Sequence, residues 1–238
     1  MVFITDRGRN EEMPLRILLV TATSAEADAI KKIGGTNDSP EGFSLGNNQI
    51  SLLVTGVGSM ATSWAMTKWF SSNIKPDLAV NAGIAGSYKE DITIGDVVVP
   101  VSDCFADAGI ETGSGFITLA EAGLEDPDRF PFRGGKIVAD NKYVAMAVRK
   151  IKPVRAITVN TASGSEATIE KMIKKYNPDI ETMEGATFFY ICSGGKIPFL
   201  AVRSISNRVE SRNKANWNVP LALDSLSEKL KEFFLMND

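Results

Sequence analysis

Leu15 to Thr21 reads Leu-Arg-Ile-Leu-Leu-Val-Thr, an almost unbroken apolar run. A strand of that kind is covered on both faces, as in sheets that carry helices on each side. The pattern repeats along the chain. Further strands are predicted at Gln49–Thr55, Leu78–Ala82, Val97–Val101, Arg155–Val159 and Phe199–Arg203. Helices are predicted at Ser24–Ile33 with Ser24 as the cap, Ser59–Asn73, Lys142–Ile151, Glu166–Tyr176, Met183–Gly194 and Leu221–Leu235. Strands alternating with helices argue for a three-layer α/β/α domain. Asp107–Arg133 is polar, Gly-rich and poorly periodic, and reads as long loops with a short hairpin. No repeat, low-complexity segment or linker divides the 238 residues, so 14–238 reads as one domain and 1–13 as an N-terminal extension.

Charge and composition close off several function classes. A net charge of −3 offers no basic footprint for nucleic acid. No apolar run approaches the roughly 18 residues of a membrane span, and the polar, charged stretch Met1–Glu12 carries no secretory signal, which predicts a cytoplasmic protein. The chain has no histidine. Ser-His-Asp and Cys-His catalysis and His-ligated zinc are therefore excluded, and acid–base chemistry falls to carboxylates, lysine, tyrosine or substrate atoms. Cys104 and Cys192 stand far apart and read as free buried thiols. No metal constellation and no cofactor motif is present, since the chain contains neither GxGxxG nor GxxxxGK[ST].

Two stretches place polar groups where a packed domain wants apolar ones. Glu184 interrupts the apolar run from Met183 to Ile191, and Arg203-Ser204-Ile205-Ser206-Asn207 follows the buried strand Ile197–Val202. Isolated buried charge is costly, so Glu184 needs a partner, and Arg203 is one candidate. Polar groups at the C-terminal end of a strand lie where open α/β sheets bind ligands. Gly56-Val57-Gly58 and Gly83-Ile84-Ala85-Gly86 follow strands and read either as tight strand-to-helix turns or as backbone amides that face an anion or a ribose.

These pieces together resemble the purine nucleoside phosphorylase and nucleosidase superfamily. Thr21-Ala22-Thr23-Ser24-Ala25-Glu26, Asn81-Ala82-Gly83-Ile84-Ala85-Gly86, Ile94–Val99, Met183-Glu184 and Arg203–Asn207 match that family's motifs in the same order. The resemblance implies an α/β fold, a three-layer α/β/α sandwich around a central twisted mixed sheet, and hydrolysis of a purine nucleoside at its N-glycosidic bond. It is closest to a hydrolytic branch acting on a 6-oxopurine nucleoside.

By that likeness Glu26 activates water, Glu184 holds the ribose hydroxyls, Met183 packs on the sugar, Gly83 and Ile84 lie beside it, and Ser206 and Asn207 meet the base. Asn207 stands where adenine-specific members carry aspartate, and its amide suits a 6-oxopurine by donating both hydrogens to the two acceptors on one edge. Ile84 replaces a serine, so any contact there is through backbone. Arg203 either orients Glu26 or Glu184 or neutralises one of them. Phe105 either lines the pocket or belongs to the core. Arg208, Arg212 and Lys214 either pair with a carboxylate at the far end of the substrate or form a solvated loop. The likeness implies a homodimer or higher homo-oligomer whose neighbour helps close the pocket, and a small-molecule nucleoside as substrate. A methylthioadenosine/adenosylhomocysteine nucleosidase, a phosphorylase, or a nucleoside-binding protein without activity, are the competing readings.

Overall fold

The computed structural model describes residues 14–34, 39, 41–113, 115–211 and 213–235. The expected extension at 1–13 and Arg212 lie outside the described residues. The elements run β1 (Arg16–Thr21), α1 (Ser24–Lys31), β2 (Gly42–Leu45), β3 (Asn48–Val54), α2 (Ser59–Ser72), β4 (Leu78–Ser87) and β5 (Val97–Asp103). They continue with β6 (Gly109–Thr112), β7 (Gly115–Thr118), β8 (Phe132–Arg133), β9 (Lys136–Val138), α3 (Lys142–Ala147), β10 (Lys152–Thr158), α4 (Glu166–Tyr176), β11 (Ile180–Thr182), α5 (Gly185–Gly194), β12 (Phe199–Arg208) and α6 (Val219–Leu235). The polar stretch after Asp107 does contain a hairpin, β6–β7.

The central sheet is mixed, as expected. β1 lies parallel between β3 and β4, and β4 runs parallel to β12 along its other edge. β11 crosses the end of β4 antiparallel, β10 runs parallel to both β11 and β5, and β5 meets β12 antiparallel. The pairings β4–β11–β10–β5–β12–β4 close a circuit, so this half of the sheet curls into a barrel instead of remaining open. Helices α1 and α6 pack on each other and on β4, while α2 and α5 form a second helical pair against the sheet. Leu18, Leu19, Val20, Val80, Phe188, Phe189 and Leu200 are buried in the main core between the layers. The apolar run in β1 is therefore enclosed on both faces.

Several boundaries differ from those read in the sequence, each for a local reason. Thr23, not Ser24, caps α1, because its hydroxyl accepts from the Glu26 amide while Glu26 reaches back to the cap. Gly83–Gly86 is not a strand-to-helix turn: β12 pairs alongside it, and the strand runs on to Ser87. Helix α5 begins at Gly185, which leaves Glu184 at the N-cap. Helix α3 stops at Ala147, with Lys150 and Ile151 amides turning back on Ala147.

Candidate active site

The C-terminal ends of β1, β4, β11 and β12 open on one cavity of about 280 Å³, lined by Glu26, Ile84, Met183, Glu184, Ser206 and Asn207 among others. Glu26 sits in the first turn of α1 and is only 5% exposed. Its Oε2 accepts from Ala22 N at 3.1 Å, Thr23 N at 2.9 Å and the Thr23 hydroxyl at 2.9 Å. Its Oε1 accepts from Ile84 N at 3.1 Å, across from β1 to β4, and retains acceptor capacity toward the cavity. The carboxyl group also presses on Gly83, where a Cβ would lie 2.7 Å from Oε1. Gly83 does not line the cavity. It leaves room for the Glu26 carboxyl group.

Glu184 lines the cavity wall as well. It caps no amide of its own helix, and its Oε1 accepts from Gly58 N at 2.8 Å, the amide at the start of α2. Burial foremost, and then the nearby Glu26 charge, push its acid above the usual carboxylate range, against the Gly58 amide and the Arg203 charge. Met183, half-buried, forms part of the same wall. The Ile84 amide is committed to Glu26, so the part of Ile84 that faces the cavity is its apolar side chain.

Arg203 is 1% exposed and does not line the cavity. Its Nη1 donates to the carbonyls of Asn81 at 2.7 Å and Val202 at 3.1 Å, and its Nη2 donates to the Asn81 side chain. Burial pulls its own pKa down, while the charges of Glu184, Glu26 and Asp103 push it back up. Arg203 thus acts on the carboxylates through its field. Phe105 also lies elsewhere: with Tyr190, Phe132 and Lys136 it lines a second cavity that contains none of the residues above.

At the far end, the Ser206 hydroxyl donates to Asn207 Oδ1 at 2.8 Å, and Asn207 Nδ2 donates to the Arg208 carbonyl at 2.8 Å. One amide hydrogen is therefore already engaged, and one remains for a ligand, not two. Arg208 lines the cavity, whereas Lys214 is exposed and does not. Among the lining residues to which the sequence assigns no role is a buried carboxylate. Glu181 is 7% exposed, and its carboxylate accepts from Ser163 N at 2.8 Å, the Ser163 hydroxyl at 2.6 Å and the Tyr88 hydroxyl at 2.6 Å. Burial and the Glu181 charge push the Tyr88 phenol well up, so it stays a donor. Glu181 and Asn207 pair with Gly86 from its two sides, which puts an acceptor and a donor across one end of the cavity. The signal was present, since the argument that a buried carboxylate needs partners applies to Glu181 as it does to Glu184.

The profile of the phosphorylase superfamily matches residues 16–235. The chain is 28% identical over 224 residues to a futalosine hydrolase of Streptomyces coelicolor, covering 90% of this chain and 93% of that one. It is 30% identical over 231 residues to a futalosine hydrolase of Acidothermus cellulolyticus, covering 90% and 88%. A crystal structure of a Helicobacter pylori 5′-methylthioadenosine/S-adenosylhomocysteine nucleosidase variant, with 5′-methylthioadenosine in its active site, superimposes with a TM-score of 0.78 over 94% of this chain and 100% of that one, at 17% identity.

Proposed function

The chain belongs to the phosphorylase superfamily and is a nucleosidase within it, and we propose that it hydrolyses futalosine to hypoxanthine and dehypoxanthine futalosine. The observation that carries the proposal is the presence of two buried carboxylates, Glu26 and Glu184, in one cavity that is also lined by an amide and a carboxylate, Asn207 and Glu181. Glu26 is the base that takes a proton from water, with Oε1 as the accepting atom. Glu184 accepts from the ribose hydroxyls and stabilises positive charge that develops on the sugar as the glycosidic bond opens. Met183 supplies the apolar surface beneath the ring.

The leaving base is met by donors and acceptors that suit a 6-oxopurine. The free Asn207 hydrogen is directed to the imidazole nitrogen or the exocyclic oxygen, both acceptors. Glu181 accepts from the ring N–H that a 6-oxopurine carries and adenine lacks. An adenine base leaves that carboxylate facing a lone pair, and mismatches of buried polar groups are costly. Arg208 lies within the cavity wall and pairs with the carboxylate at the far end of futalosine.

Hydrolysis is favoured over phosphorolysis because the amides of Ala22, Thr23 and Ile84, at the two strand ends where a phosphate cradle would form, are all used to hold Glu26. No helix among the described residues is long and apolar enough to cross a membrane. The likeness further implies a cytoplasmic enzyme of the alternative menaquinone pathway acting as a homodimer or higher oligomer. Met60 and Trp64 on α2, 86% and 71% exposed, offer an apolar face for a second copy beside Val57 at the cavity. The deciding experiment measures base release from futalosine, inosine and 5′-methylthioadenosine with and without phosphate. Futalosine is expected to turn over fastest, with no acceleration by phosphate. Formation of a sugar 1-phosphate, or equal cleavage of 5′-methylthioadenosine, would overturn the proposal.

A further inference from the structure

Helix α5 does not cap itself, since its N-cap residue Glu184 sends its carboxylate across to Gly58 instead. The amides that open the helix still require acceptors. Two threonines from neighbouring strands provide them. Thr182 Oγ1 accepts from Gly185 N at 3.2 Å, and Thr158 Oγ1 accepts from Ala186 N at 2.7 Å. Both threonines are buried, and their hydroxyls lie 3.2 Å apart.

Behind them stands Asp103, 1% exposed. Its Oδ1 accepts from the Thr158 hydroxyl at 3.0 Å and from Cys104 N at 2.8 Å. A hydroxyl has one hydrogen. Because Thr158 gives its hydrogen to Asp103, it presents only lone pairs to Ala186 and to the Thr182 hydroxyl, and Thr182 in turn presents a lone pair to Gly185. The direction of the whole chain is set at Asp103. Its Oδ2 has no hydrogen-bond partner among the described residues and lies over Gly185, where a Cβ would come within 2.1 Å of it. Gly185 is thus the residue that lets the acid reach the start of the helix.

We propose that Asp103 is a positioning residue for Glu184: it orients the threonine pair that caps α5 from outside, and so frees the Glu184 carboxylate to face the sugar. The inference rests on the reading of Glu184 as the ribose-binding group. A helix deprived of this external cap recruits its own N-cap side chain, and Glu184 then turns back onto the amides it now leaves to Thr158 and Thr182.

The test uses the full chain with Thr158→Val, Thr182→Val, Thr158→Ser and Glu184→Gln variants. Two quantities are read: the preference for a ribonucleoside over its 2′-deoxy analogue in kcat/KM, and the titration of the Glu184 carboxyl carbon by NMR. Thr158→Val is expected to reduce the ribose preference about tenfold or more, the value of one hydrogen bond to a charged group, and to lower the Glu184 pKa as that side chain joins its own helix. Thr158→Ser should recover both. If Thr158→Val does not fold, Thr182→Val makes the same demand on Glu184. A folded valine variant in which the Glu184 titration and the ribose preference both match wild type overturns the positioning role. Should Glu184→Gln keep the full ribose preference, the reading of Glu184 falls instead, and the carboxyl titration of an Asp103→Leu variant, which takes away the acceptor for the Thr158 hydroxyl, decides whether Asp103 sets its direction: a value matching wild type overturns it.

Discussion

Glu26 is both an ordinary helix-capping residue and the candidate base, and the two roles are compatible because they use different oxygens. Oε2 closes the capping box with Thr23, while Oε1 lies against Gly83 and Ile84. Glu26→Gln preserves most of the box, since glutamine also serves at that position, but it removes the proton acceptor. Turnover should fall ~10²–10⁴-fold with substrate binding within a few-fold of wild type. A rate constant that stays within about threefold, well short of a general base's worth, would exclude Glu26 as the base. Asn207 shows where reasoning from residue type alone overreaches. Its identity suggested two hydrogens for the base, but the neighbouring Arg208 carbonyl takes one of them.

Strand β4 is the element on which the site depends. Its first half, Leu78–Asn81, pairs with β1, and the whole length is followed by β12, so that Gly83–Ser87 remains extended beside Arg203–Arg208. That extension carries the Ile84 amide to Glu26 and sets Gly86 between Glu181 and Asn207. Gly83→Ala tests the arrangement. The new methyl meets Glu26 Oε1 at 2.7 Å, and a side-chain end is the cheaper thing to move. The variant should fold, destabilised by about 1–3 kcal/mol, and lose at least ~10-fold in kcat as the carboxylate is displaced. Wild-type kcat in a folded Gly83→Ala protein would mean that Glu26 need not sit where β4 holds it.

The fold also encloses an acid whose titration should be visible in the stability of the entire chain. Burial raises Asp103 to about 7, against hydrogen bonds from Thr158 and Cys104 and the Arg203 charge, while Glu184 pushes it further up. The folded protein then holds a proton that the unfolded chain releases near pH 4. This group's contribution is therefore fully present below pH 4 and is lost as pH rises toward 7. The loss amounts to at most about 4 kcal/mol, from some three pKa units at about 1.4 kcal/mol each. Asp103→Asn cannot ionise, and its urea-unfolding free energy should decline less than that of wild type between pH 4 and pH 7. Parallel pH dependences in the two proteins would show that Asp103 is charged throughout that range.

The order and type of most elements are written in short-range pattern. Helix α4 runs from Glu166 to Tyr176 as read, because Ser165 caps one end and Asn177 adopts the left-handed conformation at the other. Of the five motif patches that mark the family, Thr21–Glu26, Ile94–Val99 and Met183-Glu184 lie where a strand meets a turn or helix, whereas Asn81–Gly86 and Arg203–Asn207 lie within β4 and β12. Tertiary structure decided what those patches do. Residues 58 apart bring Ile84 to Glu26, residues 126 apart bring Gly58 to Glu184, and residues 122 apart give Arg203 to Asn81 instead of to a carboxylate. The closing of the sheet through β12 and β11 made those meetings. A sequence shows that a buried charge must find a partner, because the cost of leaving it alone is a property of the residue. Which partner it finds is settled by the strands that pack beside it, and that choice depends on the whole sheet.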